Sequence, residues 1–353
     1  MILHGRVVEQ TIDRKQRGSF LMELVGTSAS VRGAAGGGKL VYAHVPLAMV
    51  RKRLASNQGG TLAPILLVHG FGQNRYAWHL PSRSLVNYLA SAGFDVFNLD
   101  LRGHGRSRHL GARRSRGVED YVHEDMPSAV DEVRALSGDR PVWLIGHSLG
   151  GLVSYAAAPA LAGAVAGIAS IGSPYHFTRG SFSLGAIALF IRALTMTRLR
   201  LPNAGIAVNS IGGVLRQVRR FAESPIYPFP LRGWHAGALE PHVLDEHLRL
   251  AFDKAGIAEL TDMFQWASQK RFGGPERDYV ERFEKLDLPL LVVSGDNDDL
   301  APPASVRPAF ERSTTHDKTY RTMPLGHIDL LVGRDAPMLT WSLLGSWLGR
   351  RAA

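Results

Sequence analysis

A chain of 353 residues with no cysteine at all cannot use disulfides, thiolate nucleophiles or Cys-ligated metals. Its 45% hydrophobic content supports a large core, and its length suits about two domains, or one α/β domain with an insertion. The formal net charge of +10 is concentrated: residues 1–60 carry nine Lys/Arg against three acids, and residues 102–116 carry six arginines and no acid.

Such patches favour an anionic surface, and peripheral contact with an anionic membrane is one expectation they raise. Solvated loops on a basic protein are the plainer one. No nucleic-acid partner is expected, because no binding module or aromatic-lined basic strand is found. Met1 to Arg6 lack the apolar region of a signal peptide, so a cytoplasmic location is expected. Residues 141–178 contain no Asp, Glu, Lys or Arg, yet Pro159 and the many Gly and Ala suit a buried strand–helix–strand better than a membrane span.

In chain order, residues 1–60 read as an N-terminal extension of short strands and turns that packs on a core. Gly36 to Gly38 form a flexible link, Lys39 to Leu47 a strand, and Arg51-Lys52-Arg53 the loop after it. Ala63 to Val68 is an apolar, branched run of buried-strand character that ends at His69-Gly70-Phe71-Gly72-Gln73-Asn74. A helix follows with Leu85, Leu89 and Ala92 on one face and Gly93 as its C-cap. The strand Phe94 to Leu99 runs into Asp100 and the arginine-rich loop, and a helix begins near Pro127. Another strand leads to Gly146-His147-Ser148-Leu149-Gly150, followed by an Ala-rich helix and the strand Gly167 to Ile171. This alternation predicts an α/β fold with a mostly parallel sheet covered by helices on both faces.

The alternation stops between Tyr175 and Leu286. Helical stretches replace it at 184–191, 208–221, 243–252 and 257–266, and they read as a helical cap. It resumes with the strand 288–294 before Gly295-Asp296-Asn297-Asp298-Asp299, then a strand near Lys318 to Thr322 before Gly326-His327. A final helix has Asp335 as its expected N-cap. The domain reading is therefore 1–60 extension, 61–174 and 287–353 core, and 175–286 helical cap or lid.

Gly146-His147-Ser148-Leu149-Gly150 is a G-x-S-x-G nucleophile elbow set between a strand and a helix. A serine hydroxyl needs a base, and imidazole oriented by a carboxylate supplies one. Ser148, an aspartate cluster (Asp296, Asp298, Asp299) and His327 each fall just after an expected strand, in that chain order, and chemistry alone does not choose among the aspartates. His69, His104 and His147 sit in Gly-flanked turns where structural hydrogen bonds are expected. His235, His242 and His247 match no zinc spacing, so no metal and no cofactor are expected.

From His69 to its C-terminus, apart from the cap, the chain resembles α/β-hydrolases. It is similar to the branch holding acid lipases and polyhydroxyalkanoate synthases, through residues 84–96, 295–301, 326–330 and 335–337. That resemblance implies Asp298 as the triad acid, at the fourth position of a G-x-N-D-x-L-A stretch, and His327 as the base. It also implies an oxyanion hole from the backbone N–H groups of Phe71 and Leu149. Two departures matter: polyhydroxyalkanoate synthases carry cysteine where this chain has Ser148, and secreted acid lipases carry signal peptides. The expectation is a serine esterase or lipase acting through an acyl-enzyme on a lipid-like ester, with acyl transfer by the same residues as the nearest alternative. A basic nucleic-acid-binding protein and a catalytically inactive hydrolase-fold protein are the more distant ones.

Overall fold

The computed structural model describes residues 15–17, 20–34, 40–55, 62–196, 205–217, 232–268 and 279–352. Its strands are β1 (Lys15–Arg17), β2 (Phe20–Ala34), β3 (Leu40–Leu54), β4 (Leu62–Val68), β5 (Phe94–Asp100), β6 (Val142–His147), β7 (Val165–Ile171), β8 (Gly205–Ala207), β9 (Lys254–Gly256), β10 (Leu290–Gly295) and β11 (Lys318–Met323). Nine of them form one sheet in the order β1-β2-β3-β5-β4-β6-β7-β10-β11. From β5 to β11 all neighbours run parallel, and β1, β2 and β3 add an antiparallel edge.

The period of two along each strand sorts side chains onto two faces. In β4, Leu66 and Val68 enter one hydrophobic cluster while Ile65 and Leu67 enter the other. In β6, Leu144 and Val142 face the first cluster, and Trp143 and Ile145 the second. The helices Met126–Leu136 and Leu149–Ala157 cover one face. Leu85–Ser91, Pro241–Leu250 and Ser342–Gly349 cover the other. Ser84 caps the first of these by accepting the Asn87 N–H, and Gly93 takes a φ of 96° just beyond its end.

The structure corrects the reading of the first 60 residues. Arg51-Lys52-Arg53 lie inside β3, not in a loop, and β2 and β3 pair along their whole length from Phe20↔Leu54 to Ala34↔Leu40. Arg51 is buried because it has a partner: its Nε and Nη2 donate to the two carboxylate oxygens of Asp95 at 2.9 and 2.7 Å. Lys52 reaches Asn87 Oδ1 at 2.6 Å. A basic run looks like a loop only while its counter-ions are unknown. The Gly36–Gly38 link lies outside the described residues.

Part of the arginine-rich stretch is likewise less solvated than expected, although Arg113, Arg114 and Arg116 are exposed. Arg102 is 3% exposed and bonded to Asp125 and Glu124, Arg108 pairs with Asp253, and Arg116 pairs with Asp120. Asp335 gives no side-chain cap; its main-chain carbonyl accepts the N–H groups of Met338 and Leu339.

Between β7 and β10 the described chain is mostly helical: Phe182–Met196, Val208–Gln217, Pro241–Leu250, Ile257–Ser268 and Tyr279–Glu284. The three-residue strands β8 and β9 pair with each other away from the main sheet. No helix among the described residues is long and apolar enough to cross a membrane.

Candidate active site

Ser148 sits immediately beyond the carboxyl end of β6 with φ 53° and ψ −123°, one of three non-glycine residues at positive φ among the described residues. The surrounding glycines explain how the turn closes. A Cβ on Gly146 would lie 2.3 Å from Gly151 N, and one on Gly150 would lie 2.1 Å from Val68 O. The Ser148 N–H is held by Ile171 O at 3.1 Å. The helix Leu149–Ala157 starts at the next residue, so its positive end lies beside the serine.

His327 and Asp298 come from the loops after β11 and β10. His327 Nδ1 lies 2.8 Å from Asp298 Oδ2, and both side chains are nearly inaccessible, 7% and 0% exposed. Asp298 Oδ1 accepts the N–H groups of Leu300 and Ala301 at 2.9 and 2.7 Å, which locks the carboxylate's second edge. Asp296 and Asp299 are exposed, and Asp299 accepts the Arg232 N–H at 3.2 Å. Of the three aspartates, then, Asp298 alone meets the histidine. A Cβ on Gly172 would lie 3.3 Å from Asp298 Oδ2 and 3.4 Å from His327 Nδ1, so the residue after Ile171 brings the Ser148 elbow against this pair. His327 Nε2 has no hydrogen-bond partner among the described residues.

The loop after β4 forms the opposite wall. A Cβ on Gly70 would lie 3.1 Å from Ser148 Cβ, and Gly72 takes a φ of 64°. Among the described residues no hydrogen bond engages the N–H of Phe71 or of Leu149. Both residues flank the Ser148 side chain by position, the first through Gly70 and the second through the chain itself.

The rival histidines make the structural bonds expected of them. His69 Nε2 accepts the Leu101 N–H at 3.1 Å, His104 Nε2 meets Tyr121 Oη at 3.2 Å, and His147 Nε2 donates to His327 O at 3.2 Å. Burial lowers the pKa of His69 and takes that of His104 down to about 3. Burial, with His327 as the next cause, also holds the pKa of His147 well below the usual imidazole range. The His147 and His327 rings lie 4.6 Å apart.

Three further residues belong to this region. Asp329 Oδ2 accepts the N–H groups of Gly326 and His235 at 3.0 and 2.7 Å, bracing the His327 loop, and burial raises its pKa to about 7. The His-x-Asp spacing contained that signal. Gln73 and His247 meet at 3.4 Å between their Nε2 atoms. Only the position of His247 in the apolar stripe Val243, Leu244, Leu248 could have marked it. Among the described residues no cluster of three or more His, Asp or Glu is disposed to hold a metal.

A parallel sheet with chemistry gathered beyond its carboxyl edge, and a serine on a strained strand-to-helix turn, define an α/β enzyme scaffold. The chain belongs to the α/β-hydrolase fold family, whose pattern matches residues 63–334. Among curated relatives, the poly(3-hydroxyalkanoate) polymerase subunit PhaC of Haloferax mediterranei is 24% identical over 302 residues, covering 82% of this chain and 59% of that protein. The chain thus spans about three fifths of the length of the PhaC relatives it matches. A monoacylglycerol lipase of Mycolicibacterium smegmatis is 25% identical over 269 residues, 74% of this chain and 79% of that one. Among solved structures, a monoacylglycerol lipase of Paleococcus ferrophilus superposes with a TM-score of 0.59 at 20% identity, covering 86% of this chain and 99% of that chain. A carboxyl esterase of Bacillus coagulans gives 0.62 at 16%, covering 92% and 98%. These structural likenesses speak for the fold alone.

Proposed function

We propose that the protein is a serine hydrolase that cleaves carboxylic esters through an acyl-enzyme. The observation that carries this reading is the buried Asp298–His327 pair, 2.8 Å apart, lying against Gly172, the residue after the Ile171 whose carbonyl holds the N–H of Ser148 on its strained elbow. In the first half-reaction Ser148 Oγ attacks the ester carbonyl carbon and its proton passes to His327 Nε2. Asp298 holds the proton on Nδ1 and stabilises the imidazolium. The carbonyl oxygen becomes an oxyanion, which the N–H groups of Phe71 and Leu149 stabilise by donating to it. Collapse expels the alcohol, which takes the proton from His327, and leaves the acyl group on Ser148. Water then repeats the sequence and releases the acid.

Residues 175–286 are proposed as a lid that supplies the acyl site. A cavity of about 550 Å³ lies between them and the elbow helix, lined by Leu152, Phe177, Met263 and Trp266 with Arg179 and Arg312. Of the other apolar and aromatic positions singled out in the lid, Phe264 packs with Leu184 and Ala188 between two of its helices, while the side chains of Phe190 and Leu194 lie outside the described residues. An apolar wall of this size suits medium or long acyl chains, each buried CH₂ contributing about 0.8 kcal/mol. The test is a series of esters from acetyl to octanoyl with Ser148→Ala as control. kcat/KM should rise along the series and vanish in the variant; a flat or falling series rejects the acyl site.

The similarity to PhaC proteins over 82% of the chain favours one second reading, transfer of the acyl group to an alcohol or thiol in place of water. Ser148 where polyhydroxyalkanoate synthases carry cysteine weighs against polymer synthesis. Product analysis in the presence of an added alcohol separates hydrolysis from transfer.

A further inference from the structure

Gln73 and His247 take no part in the proton transfers above, yet both are buried beside them, 5% and 0% exposed. The Gln73 side chain folds back on its own loop. Its Oε1 accepts the Gly70 N–H at 3.2 Å, while its main-chain N–H donates to Gly70 O at 3.3 Å. Because Gly70 offers a donor, the amide oxygen must face it, and the amide NH₂ is left to face His247 Nε2 at 3.4 Å. An N–H facing Nε2 requires a lone pair there, so His247 is neutral with its proton on Nδ1. Burial, with His327 as the second cause, holds its pKa down at about 3, so this state persists through the ordinary pH range. The other tautomer would set two donors against each other. The selected one leaves Nδ1 without a partner among the described residues, a cost accepted for the contact with Gln73.

The main chain ties the same two segments. His247 lies on the helix Pro241–Leu250, and the residues that follow are bonded to the loop holding Phe71. Asp253 N–H donates to Gly72 O at 2.8 Å, Asn74 N–H donates to Ala251 O at 3.0 Å, and Gln73 forms an isolated antiparallel bridge with Phe252. The Asn74 side chain adds a bond to Leu250 O at 2.9 Å. Gly70, gripped by Gln73, is also the residue whose Cβ would press on Ser148.

We propose that Gln73 and His247 form a positioning clamp that fixes the Phe71 N–H relative to Ser148 and couples this helix of the lid to the oxyanion site. Neither residue touches the reacting atoms; both act through Gly70, whose N–H the Gln73 amide oxygen holds and whose carbonyl carbon carries the Phe71 N–H. The proposal rests on the serine-hydrolase reading of the preceding subsection.

Steady-state kinetics on one soluble ester, with the melting temperature of each variant recorded alongside, provide the test. Gln73→Ala and His247→Leu should lower kcat by about 10- to 100-fold with KM changed by less than about threefold, because a displaced donor weakens the transition state more than the ground state. His247→Gln keeps an acceptor near the Nε2 position and should restore kcat to within about threefold of the parent protein. The double variant Gln73→Ala/His247→Leu should be no slower than the slower single one, since both break the same contact. Equal losses in His247→Gln and His247→Leu, additive losses in the double variant, or a rise in KM at constant kcat would overturn the clamp. If Gln73→Ala does not fold, the two His247 variants decide the matter between them. Ser148→Ala separates the two levels. Full activity there sinks the underlying reading, whereas abolished activity beside unchanged kcat in Gln73→Ala and His247→Leu sinks the clamp alone.

Discussion

Asp298 and its two neighbours share a charge and a loop, and only their environments separate them. Asp298 is 3% exposed and saturated by Leu300 N, Ala301 N and His327 Nδ1, while Asp296 and Asp299 point to solvent. Replacing Asp298 by Asn keeps the shape but offers His327 Nδ1 an NH₂ as readily as an oxygen, which destroys tautomer control. The expected loss in kcat for Asp298→Asn is on the order of 10³–10⁴. Asp296→Asn and Asp299→Asn should stay within about threefold of the parent, as exposed charges interact weakly. Steady-state kinetics on the three variants settle the order; a collapse in Asp296→Asn with Asp298→Asn spared would move the acid by two residues. Sequence spacing left this choice open, and only the resemblance to acid lipases pointed to Asp298. The geometry distinguishes it by contact, which no single-residue property of the sequence encodes.

The antiparallel edge is joined to the parallel sheet through a short pairing, Ala48–Lys52 of β3 against Val96–Asp100 of β5, and through one buried ion pair. Arg51 and Asp95 are 9% and 0% exposed at their side chains, with Ser137 Oγ and Leu136 O completing their bonds. Removing one member leaves an uncompensated buried charge, so Arg51→Ala should destabilise the protein by about 3–5 kcal/mol in chemical unfolding. The apolar pair Arg51→Met with Asp95→Leu should recover most of that. If Arg51→Ala unfolds within about 1 kcal/mol of the parent, the pair does not hold the edge. The sequence reading ended this strand at Leu47, seven residues short of its end at Leu54, because Arg51-Lys52-Arg53 breaks the apolar alternation by which strands are recognised. The parallel strands β4, β5, β6, β7 and β10 were legible, since strands buried on both faces read as continuous apolar runs, and the half-exposed edge strand β11 was expected near its observed place, Lys318–Met323. The same logic explains Arg102, whose partners Glu124 and Asp125 follow more than twenty residues later. With Arg102, Arg108 and Arg116 engaged in ion pairs, less free positive charge remains in 102–116 for an anionic membrane than composition suggests.

Over the whole molecule, burial of titratable groups makes stability depend on pH in two opposed ways. His104 and His247 titrate at about 3 in the folded protein against an ordinary 6.5. As pH falls through that window the unfolded chain gains protons that the folded one refuses, and stability is lost by up to about 1.4 kcal/mol per pH unit for each histidine. Asp329 runs the other way: its pKa is raised to about 7 from 3.8, so stability is lost as pH rises through that range. Melting temperatures between pH 5 and pH 8 should therefore show a shallower acid-side fall for His247→Gln than for the parent. Asp329→Asn should show a steeper acid-side fall, having lost the opposing group. Parallel curves for all three proteins would exclude both assignments. None of these groups could be graded from sequence, because a histidine on an apolar helix face and one in a turn look alike until their burial is known.

The central claim, that Ser148 is the nucleophile of an acyl-transfer reaction, is tested most directly by a fluorophosphonate probe with peptide mapping by mass spectrometry. The expected result is one stoichiometric adduct on Ser148, absent in Ser148→Ala and strongly slowed in His327→Ala. An adduct on a different serine, or no adduct on a protein that still hydrolyses esters, would contradict it.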